Sequence, residues 1–417
     1  MSIATLWKRY FDELPLTDRV THYREIQVGL LMGVFNGFGL SLVSIIARRI
    51  GTSSTQIAVM LSMPFVGSLF SLYFGHMTVR REKMPFVFWP GVTSRLLLAV
   101  VAILHSPMAF LIIMSLFYFI STIPGPAYAS IMSTNYSDGF RARLMGNMRV
   151  LQTTVAAAGA FIAGQILEAR PDAYRWILPL SACFGIAAAF AFRQLKIKRE
   201  RTAPSSPVSF YQAAKSIRDD RAFLVFMIIY FCCAMPAKLA IPLEPIWLVD
   251  HLRMDYRQAG LILGTVLSMC SVLGYRLWGK LATLVDPLYL VVTIFVLGIM
   301  RFPVLALATH PYHVIAASVT AGLSFAGFEL IPLFAIMRFA PQGKLPLYIA
   351  FHATLMGIRG IIGPFAGSFL YTHLGLQIDT VFWIITGSAG LGILSMLVFA
   401  VTWKRQHPTT RNAHPKC

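Results

Sequence analysis

Residues 352–370 read HATLMGIRGIIGPFAGSFL, an apolar stretch that contains four glycines and, near its middle, Arg359. A helix of about 20 apolar residues is long enough to cross the hydrocarbon core of a membrane. Runs of similar length recur along the chain, and in lipid they must be helical because every backbone amide needs an internal hydrogen-bond partner. The stretch therefore predicts a polytopic α-helical membrane protein, and it raises the question of what compensates the charge of Arg359.

The composition supports this class and excludes others. Hydrophobic residues make up 57% of the 417 residues and charged residues 13%, whereas a soluble domain has about 45–50% and about 25%. The five cysteines show no spacing typical of a disulfide framework or a metal site. The sequence contains no HExxH, GxSxG or nucleotide-binding loop. We therefore predict a protein that is not an enzyme and that has no cofactor and no metal.

The apolar runs predict twelve membrane spans in two sets of six. The first set lies near residues 25–47, 55–76, 86–104, 108–132, 144–168 and 173–193, and the second near 222–248, 258–280, 287–309, 311–337, 346–372 and 378–403. Residues 194–221 form a basic linker with a Pro/Ser-rich centre. Residues 1–24 are a charged arm without the apolar core of a signal peptide, and residues 404–417 are a polar tail. The chain thus divides into two six-helix bundles, residues 25–193 and 222–403.

The net charge of +19 is distributed unevenly between the two sides of the membrane. Even-numbered connections and both termini hold 24 of the 36 Lys and Arg residues, and odd-numbered connections hold six. This positive-inside bias predicts that both termini and the linker are cytoplasmic and that the protein lies in the cell (inner) membrane. A nucleic-acid partner is not needed to explain the charge.

Two pairs of segments, each separated by about half the chain, indicate an internal repeat. SRLLLAVVAILHSP (94–107) aligns with MRFPVLALATHPY (300–312), so that Arg95 matches Arg301. FIAGQIL (161–167) aligns with PFAGSFL (364–370). Agreement in order, offset and span number favours two parallel six-helix repeats over chance similarity of apolar helices.

With six plus six spans, cytoplasmic ends and a basic central loop, the chain resembles the major facilitator superfamily from about residue 20 to 403. The turn after the second span, GHMTVRREK (75–83), resembles the family motif G-x-x-x-D-R-x-G-R-R at Gly75, Arg80 and Lys83. It departs from that motif at Val79 and Glu82. The resemblance implies a gating role for the turn and a fold of two pseudo-symmetric bundles. It also implies a central cavity lined by spans 1, 4, 7 and 10, with contributions from 2, 5, 8 and 11.

Three charged residues lie on cavity-type spans of the second half: Lys238, Glu329 and Arg359. A charge at membrane depth costs ~2.5–3.5 kcal/mol even on insertion scales, so such residues face protein or water. Two bases and one acid leave positive charge that an anionic substrate group would compensate. We therefore predict that Arg359 and Lys238 bind an anionic group. An ion pair between Glu329 and one of these bases that only fixes helix packing is the alternative.

Other side chains complete the predicted site. His352 precedes Arg359 by seven residues and lies near the same helical face, at a depth of about 10–12 Å that matches Glu329. We predict that Glu329 and His352 bind the coupling proton. Asn36, Tyr128 and Gln152 supply polar groups from the first half that orient the substrate. Basic residues on scaffold helices or near helix ends (Arg95, Arg149, Arg276 and Arg301) are expected to be structural.

Together these features predict a monomeric secondary active transporter of a small organic anion, working by alternating access and proton symport in the lipid bilayer. An exporter of amphipathic drugs or lipids is one alternative, although the glycine string GIRGIIGPFAG (357–367) stands on the eleventh span, whereas drug:proton antiporters of the family carry a similar signature on the fifth. A protein of this fold that transports nothing and serves as a sensor or assembly factor is the other.

Overall fold

The computed structural model describes residues 14–78, 81–103, 106–197, 217–341 and 345–406. The regular elements of this part of the chain are all helices. The N-terminal half consists of α1 (Leu16–Val34, Phe35–Leu40 and Val43–Arg49), α2 (Ser54–Leu69 and Ser71–Thr78), α3 (Met84–Val100), α4 (Pro107–Ile120 and Pro124–Asn135), α5 (Asp138–Ala169) and α6 (Tyr174–Arg193).

The C-terminal half repeats this layout. It consists of α7 (Arg221–Ala234, Pro236–Leu239, Leu243–Ile246 and Trp247–His251), α8 (Tyr256–Ala259, Gly260–Val266 and Leu267–Leu284), α9 (Pro287–Ala306), α10 (Val314–Met337), α11 (Leu345–Thr372) and α12 (Ile378–Gln406). Eleven helical stretches in the described ranges are long and apolar enough to cross a membrane, and the shorter apolar helix Ser54–Leu69 of α2 occupies the remaining position. The predicted all-α fold with twelve spans is confirmed.

The first helix begins earlier than the sequence suggested. Residues 16–24, which we assigned to the arm, already form the first turns of α1. Asp18, Thr21, His22 and Glu25 are buried there, and their spacing places them on one helical face. Because this buried face is polar, the sequence pattern was typical of a solvent-exposed segment. The rest of the arm (1–13), most of the linker (198–216) and most of the tail (407–417) lie outside the described residues.

Prolines interrupt two of the helices that were expected to line the cavity. In α4 the helix stops at Ser121–Ile123, directly before Pro124. In α7 it is interrupted at Met235, before Pro236, and again at 240–242. A proline ring removes a backbone hydrogen bond and collides with the preceding turn, which accounts for the breaks before Pro124 and Pro236.

Glycines of α5 and α11 allow equivalent helix contacts in the two halves. A side chain on Gly159 would collide with the backbone of α1, and one on Gly164 with the backbone of α8. On α11, a side chain on Gly363 would collide with α7, and one on Gly360 with Phe65 of α2. Thus α5 contacts α1 and α8 as α11 contacts α7 and α2, which agrees with the predicted repeat.

The repeat-related arginines of α3 and α9 are held by protein atoms, as expected. Arg95 donates to the carbonyl of Gly91, and its guanidinium lies 5.1 Å from the centre of the Phe35 ring of α1. Arg301 forms an ion pair with Glu244 of α7. Each arginine therefore contacts the first helix of its own half.

Several contacts join the two halves at the end opposite the termini, which we call the far end. Arg48 of α1 forms an ion pair with Asp250 of α7, and Arg49 donates to the carbonyl of Met254. Ser54 of α2 lies within hydrogen-bond distance of Ser368 of α11, at 2.9 Å. We call these three contacts the far seal. At the terminal end, the second piece of α2 packs instead on the second piece of α4 in its own half.

Candidate functional site

Arg359 is buried in α11 and has no acidic partner among the residues that the structure describes. Its exposed fraction is 5%, and its guanidinium carbon lies 5.9 Å from the centre of the Tyr230 ring of α7. Its Nε atom has no hydrogen-bond partner in the described part of the chain, and no ion pair to Arg359 is formed there. A buried charge that is not paired is strongly unfavourable. An anionic group placed beside Arg359 would reduce this cost.

Lys238 lies in the broken part of α7, near enough to Arg359 for the two charges to interact. It stands in the short turn Pro236–Leu239, and its Nζ lies 4.7 Å from the centre of the Phe65 ring of α2, in the other half. The charges of Arg359 and Arg301 both act on it. Of these three cations, only Arg301 forms an ion pair within the described residues, with Glu244. We call Tyr230, Lys238, His352 and Arg359 the Arg359 cluster, and its charge is positive.

His352 belongs to this cluster rather than to Glu329. Its ring lies edge-on to Tyr230, with centroids 5.1 Å apart, and the charge of Arg359 acts on it. Its buried Nδ1 has no hydrogen-bond partner among the described residues, and its described contacts do not include Glu329. The two residues to which we assigned proton coupling thus have different partners among the described residues, and their joint role in coupling stays a prediction.

Glu329 contacts Tyr275 and Arg149 instead of the bases we expected. Tyr275 of α8 donates to Glu329 Oε2 at 2.6 Å, and Arg149 Nε of α5 lies 3.7 Å from the same oxygen. We set Arg149 aside as a helix-end residue, but α5 starts at Asp138, which places Arg149 about three turns inside. The ion pair joins the two halves.

The orientation of Glu329 follows from the packing of α10 on α8. Ser271 and Trp278 of α8 donate to the carbonyls of Gly322 and Leu323. Glu329 follows Gly322 by seven residues and so lies on the same face of α10, towards α8. The Arg149 and Glu329 side chains are 55% and 33% exposed, so the pair lines the space between the halves.

The three polar residues predicted in the first half lie in two places. Asn36 stands in the irregular segment Phe35–Leu40 of α1, and Gln152 lies on α5, where its carbonyl faces Gly33 of α1. Tyr128 of α4 lies elsewhere, because its hydroxyl donates to Glu25 Oε1 at 2.8 Å.

Glu25 and Glu244 are two membrane-embedded acids that the sequence analysis missed. Glu25 stands at the edge of the predicted arm, and Glu244 follows Lys238 by six residues in the predicted seventh span. The sequence signal that could have identified them is the same for both. Each acid lies within a helical stretch, and a neighbouring span contains a basic residue or tyrosines that can pair with it.

Comparison with known proteins identifies a family match. Residues 226–416 match the sequence model described as "Major Facilitator Superfamily". The match covers the C-terminal half of the chain, and the described chain as a whole has the twelve-span fold of this superfamily. The match and the fold together support the transport of some solute. No curated protein sequence matches the chain.

Solved structures share the superfamily fold at low sequence identity. A crystal structure of a point mutant of the nucleoside transporter NupG has a TM-score of 0.72 and 12% identity, covering 91% of this chain and 99% of that one. An auto-inhibited peptide transporter of the POT family gives 0.69 and 13%, covering 94% and 99%. A bacterial homologue of the human lysosomal transporter Spinster, inward-facing and unoccupied, gives 0.61 and 13%, covering 93% and 96%.

The turn that resembles the superfamily's gating motif is described in part. Gly75 lies in the second piece of α2, Ser71–Thr78. Lys83 is the residue before α3. Arg80 lies outside the described residues. The gating role of these three residues stays a prediction.

A cavity of about 590 Å³ opens at the far end of the molecule, beside the far seal. Its lining comes from both halves of the superfamily fold and includes Arg48, Asp172, Asp250, Arg253 and Tyr256. Three arginines and two aspartates line it, so acids offset most of the basic charge there, whereas the Arg359 cluster contains no acid.

Proposed function

We propose that this protein is a secondary active transporter that carries a small organic anion across the inner membrane, coupled to protons, with both termini in the cytoplasm. The single observation that carries the proposal is the buried guanidinium of Arg359, which forms no ion pair within the described residues and whose charge acts on Lys238. A transported anion would compensate these charges while it is bound.

The position of the Arg359 cluster supports alternating access around it. The Lys238 ammonium lies against Phe65 of the opposite half, so a solute bound to Lys238 and Arg359 would sit at the junction of α2, α7 and α11. Motion of one half against the other would then change the side from which the solute is reached. Asn36 and Gln152 are proposed to contact its uncharged groups.

Proton coupling is proposed to act through the ion pair of Glu329 and Arg149. A proton on Glu329 would cancel the charge that attracts Arg149, and it would weaken a contact between the halves. Proton binding and the motion of the halves would thereby be linked. His352 is proposed to respond to the binding of the anion at Arg359, because the charge of Arg359 acts on it and a bound anion would offset that charge.

The alternatives to an anion carrier have weaker support. A non-transporting sensor or assembly factor needs no unpaired buried cation, and an exporter of amphipathic compounds gains nothing from two cations at its site. The structural neighbours are named as transporters of nucleosides and peptides and as a Spinster homologue, which supports transport without indicating the solute.

The test is a thermal-shift screen of the purified protein against anionic metabolites. A solute that binds only the folded state adds RT ln(1 + [L]/Kd) to the free energy of unfolding. The Tm therefore rises. We expect stabilisation of the natural sequence and of the control Arg276→Ala, which removes an exposed arginine of α8, but none of Arg359→Ala. Equal stabilisation of Arg359→Ala would contradict the proposal.

A further inference from the structure

A second membrane-embedded carboxylate, Glu25 of α1, lies apart from the proposed anion site. It is 4% exposed. The hydroxyl of Tyr128 donates to its Oε1 at 2.8 Å, and the hydroxyl of Tyr136 donates to its Oε2. The carboxylate is therefore held by two donors on one segment of the chain.

The groups around Glu25 come from four helices. On α1 itself, the Nδ1 atom of His22 lies 3.3 Å from the Tyr136 hydroxyl. From α5, the charge of Arg149 acts on the Tyr128 hydroxyl. The α6 helix contributes the apolar Phe192, whose ring centroid is 5.6 Å from that of Tyr128. No cation forms an ion pair with Glu25 in the part of the chain that the structure describes.

Both tyrosines belong to the terminal end of α4, below its break. Tyr128 lies in Pro124–Asn135 and Tyr136 directly follows it, whereas the first piece of α4 ends at Ile120. The same second piece packs on Ser71–Thr78 of α2. Glu25 thus links α1 to the second piece of α4. That piece follows the helix break and packs on the terminal end of α2. We call this arrangement the Glu25 clamp.

We propose that Glu25 is a second proton-binding site, and that its protonation loosens the clamp so that the terminal ends of α4 and α2 can move together. The proposal is independent of the solute and of Glu329. It assigns to the N-terminal half a proton site of its own.

The carboxyl group and both tyrosine hydroxyls can keep hydrogen-bond partners when Glu25 takes up this proton. With the proton on Oε2, the carboxyl group donates to the Tyr136 oxygen, and the Tyr136 hydroxyl turns to Nδ1 of His22 in the tautomer that has its proton on Nε2. Tyr128 continues to donate to Oε1. Hydrogen bonds to a neutral carboxyl group are roughly half as strong as those to a carboxylate, so the clamp weakens although these three hydrogens keep partners.

The first test detects the proton itself by infrared spectroscopy of the purified full-length protein. We expect carbonyl absorption of protonated carboxyl groups to appear as the pH is lowered, with one component that is lost in Glu25→Gln and retained in Glu329→Gln. Carbonyl absorption that Glu25→Gln leaves unchanged would overturn the proposal. It would leave the proposed transport function standing, because that function rests on other residues.

The second test detects the motion. Spin labels replace Ser133, exposed on the second piece of α4, and Trp176, exposed on α6, in a protein without its native cysteines. Both positions lie in the N-terminal half, so rocking of the halves does not change their separation. We expect the distance distribution to change as the pH falls, and Glu25→Gln to show the low-pH distribution at every pH. A distribution in the natural sequence that is independent of pH would overturn the proposal.

Tyr136→Phe serves if Glu25→Gln does not fold. It leaves the carboxylate in place and removes one donor together with the path to His22, so we expect the carboxyl band to titrate at a different pH than in the natural sequence. An unchanged titration would show that the tyrosine network does not control the proton on Glu25, and the proposal would then fail.

Discussion

Three arginines show how single side chains are accommodated at membrane depth. Arg301 forms an ion pair with Glu244, and Arg95 donates to a backbone carbonyl and lies over an aromatic ring. Arg359 has the Tyr230 ring beside it but no ion pair within the described residues. The sequence places all three in spans, yet only the contacts distinguish the third from the other two.

The geometry of the charge at Arg359 is testable by a conservative change. Arg359→Lys keeps the charge but loses the planar fork of donors that matches a carboxylate or phosphate group. Because a hydrogen bond to a charged group contributes about 1.5–3 kcal/mol, we expect affinity for the anion to fall roughly 10- to 100-fold. Titration of the solute identified by the screen measures this. The control Arg276→Lys keeps its affinity, and an Arg359→Lys variant that binds equally well would show that charge alone suffices.

At the scale of elements, the turn that carries Lys238 is supported by α11. A Cβ atom on Gly363 would overlap with the Cβ of Lys238 and stand 3.1 Å from its carbonyl carbon. The close approach of the two helices therefore requires glycine here. It places Lys238 and Arg359 on adjacent elements that position each other.

This support predicts the effect of one added methyl group. Gly363→Ala must push α11 away from the α7 turn, so we expect a lower Tm and weaker binding of the anion. Gly387→Ala in α12 is the matched control, since a Cβ there meets nothing within 4 Å; we expect it to be neutral or to stabilise by up to about 1 kcal/mol. Thermal unfolding and solute titration of both variants provide the comparison. Unaltered binding in Gly363→Ala would mean that the turn adjusts independently of α11.

The sequence predicts helices well here because span length and proline position act locally. The breaks before Pro124 and Pro236 are local effects of this kind. The start of α1 was not expected, because its buried face is polar and binds Tyr136 and Ser137, more than a hundred residues away. The partners of Glu329 depend on which face of α10 meets α8, that is, on the rotation of α10 about its own axis. The spacing of charges along the chain does not predict that rotation.

At the scale of the whole molecule, the ion pair of Arg149 and Glu329 connects the halves in a region that remains accessible. Its two residues lie on α5 and α10, one in each bundle. A change in either charge therefore alters the strength of a contact between the two bundles, and not only the packing within one bundle.

Coupling through this pair predicts a separation of two activities. Glu329→Gln imitates the protonated residue and removes its attraction to Arg149, so we expect the variant to exchange solute across proteoliposome membranes at a near-normal rate. It should fail to accumulate solute in response to a pH gradient. Exchange and accumulation assays on the same proteoliposomes measure both. Accumulation that persists in Glu329→Gln would assign coupling to another residue, with Glu329 acting only in packing.

The orientation of the molecule is predicted by its basic connections. Single cysteines placed in residues 194–220 and at both termini, in a background without the native cysteines, should react with an impermeant reagent only from the cytoplasmic side. A cysteine at Gly51, in the far connection between α1 and α2, should react only from outside and serves as the control. Labelling of the linker from outside would overturn the orientation.

The far seal combines an ion pair, which salt weakens, with hydrogen bonds, which salt hardly affects. Arg48 and Asp250 remain 25% and 41% exposed, so mobile ions screen their attraction, with a Debye length of ≈ 8 Å at 0.15 M ionic strength. The hydroxyl contact of Ser54 with Ser368 is buried and carries no net charge. The stability of the closed far end therefore depends on the ionic strength of the solution around it. At low ionic strength the ion pair is stronger, and more free energy is needed to open this end. At high ionic strength less free energy is needed.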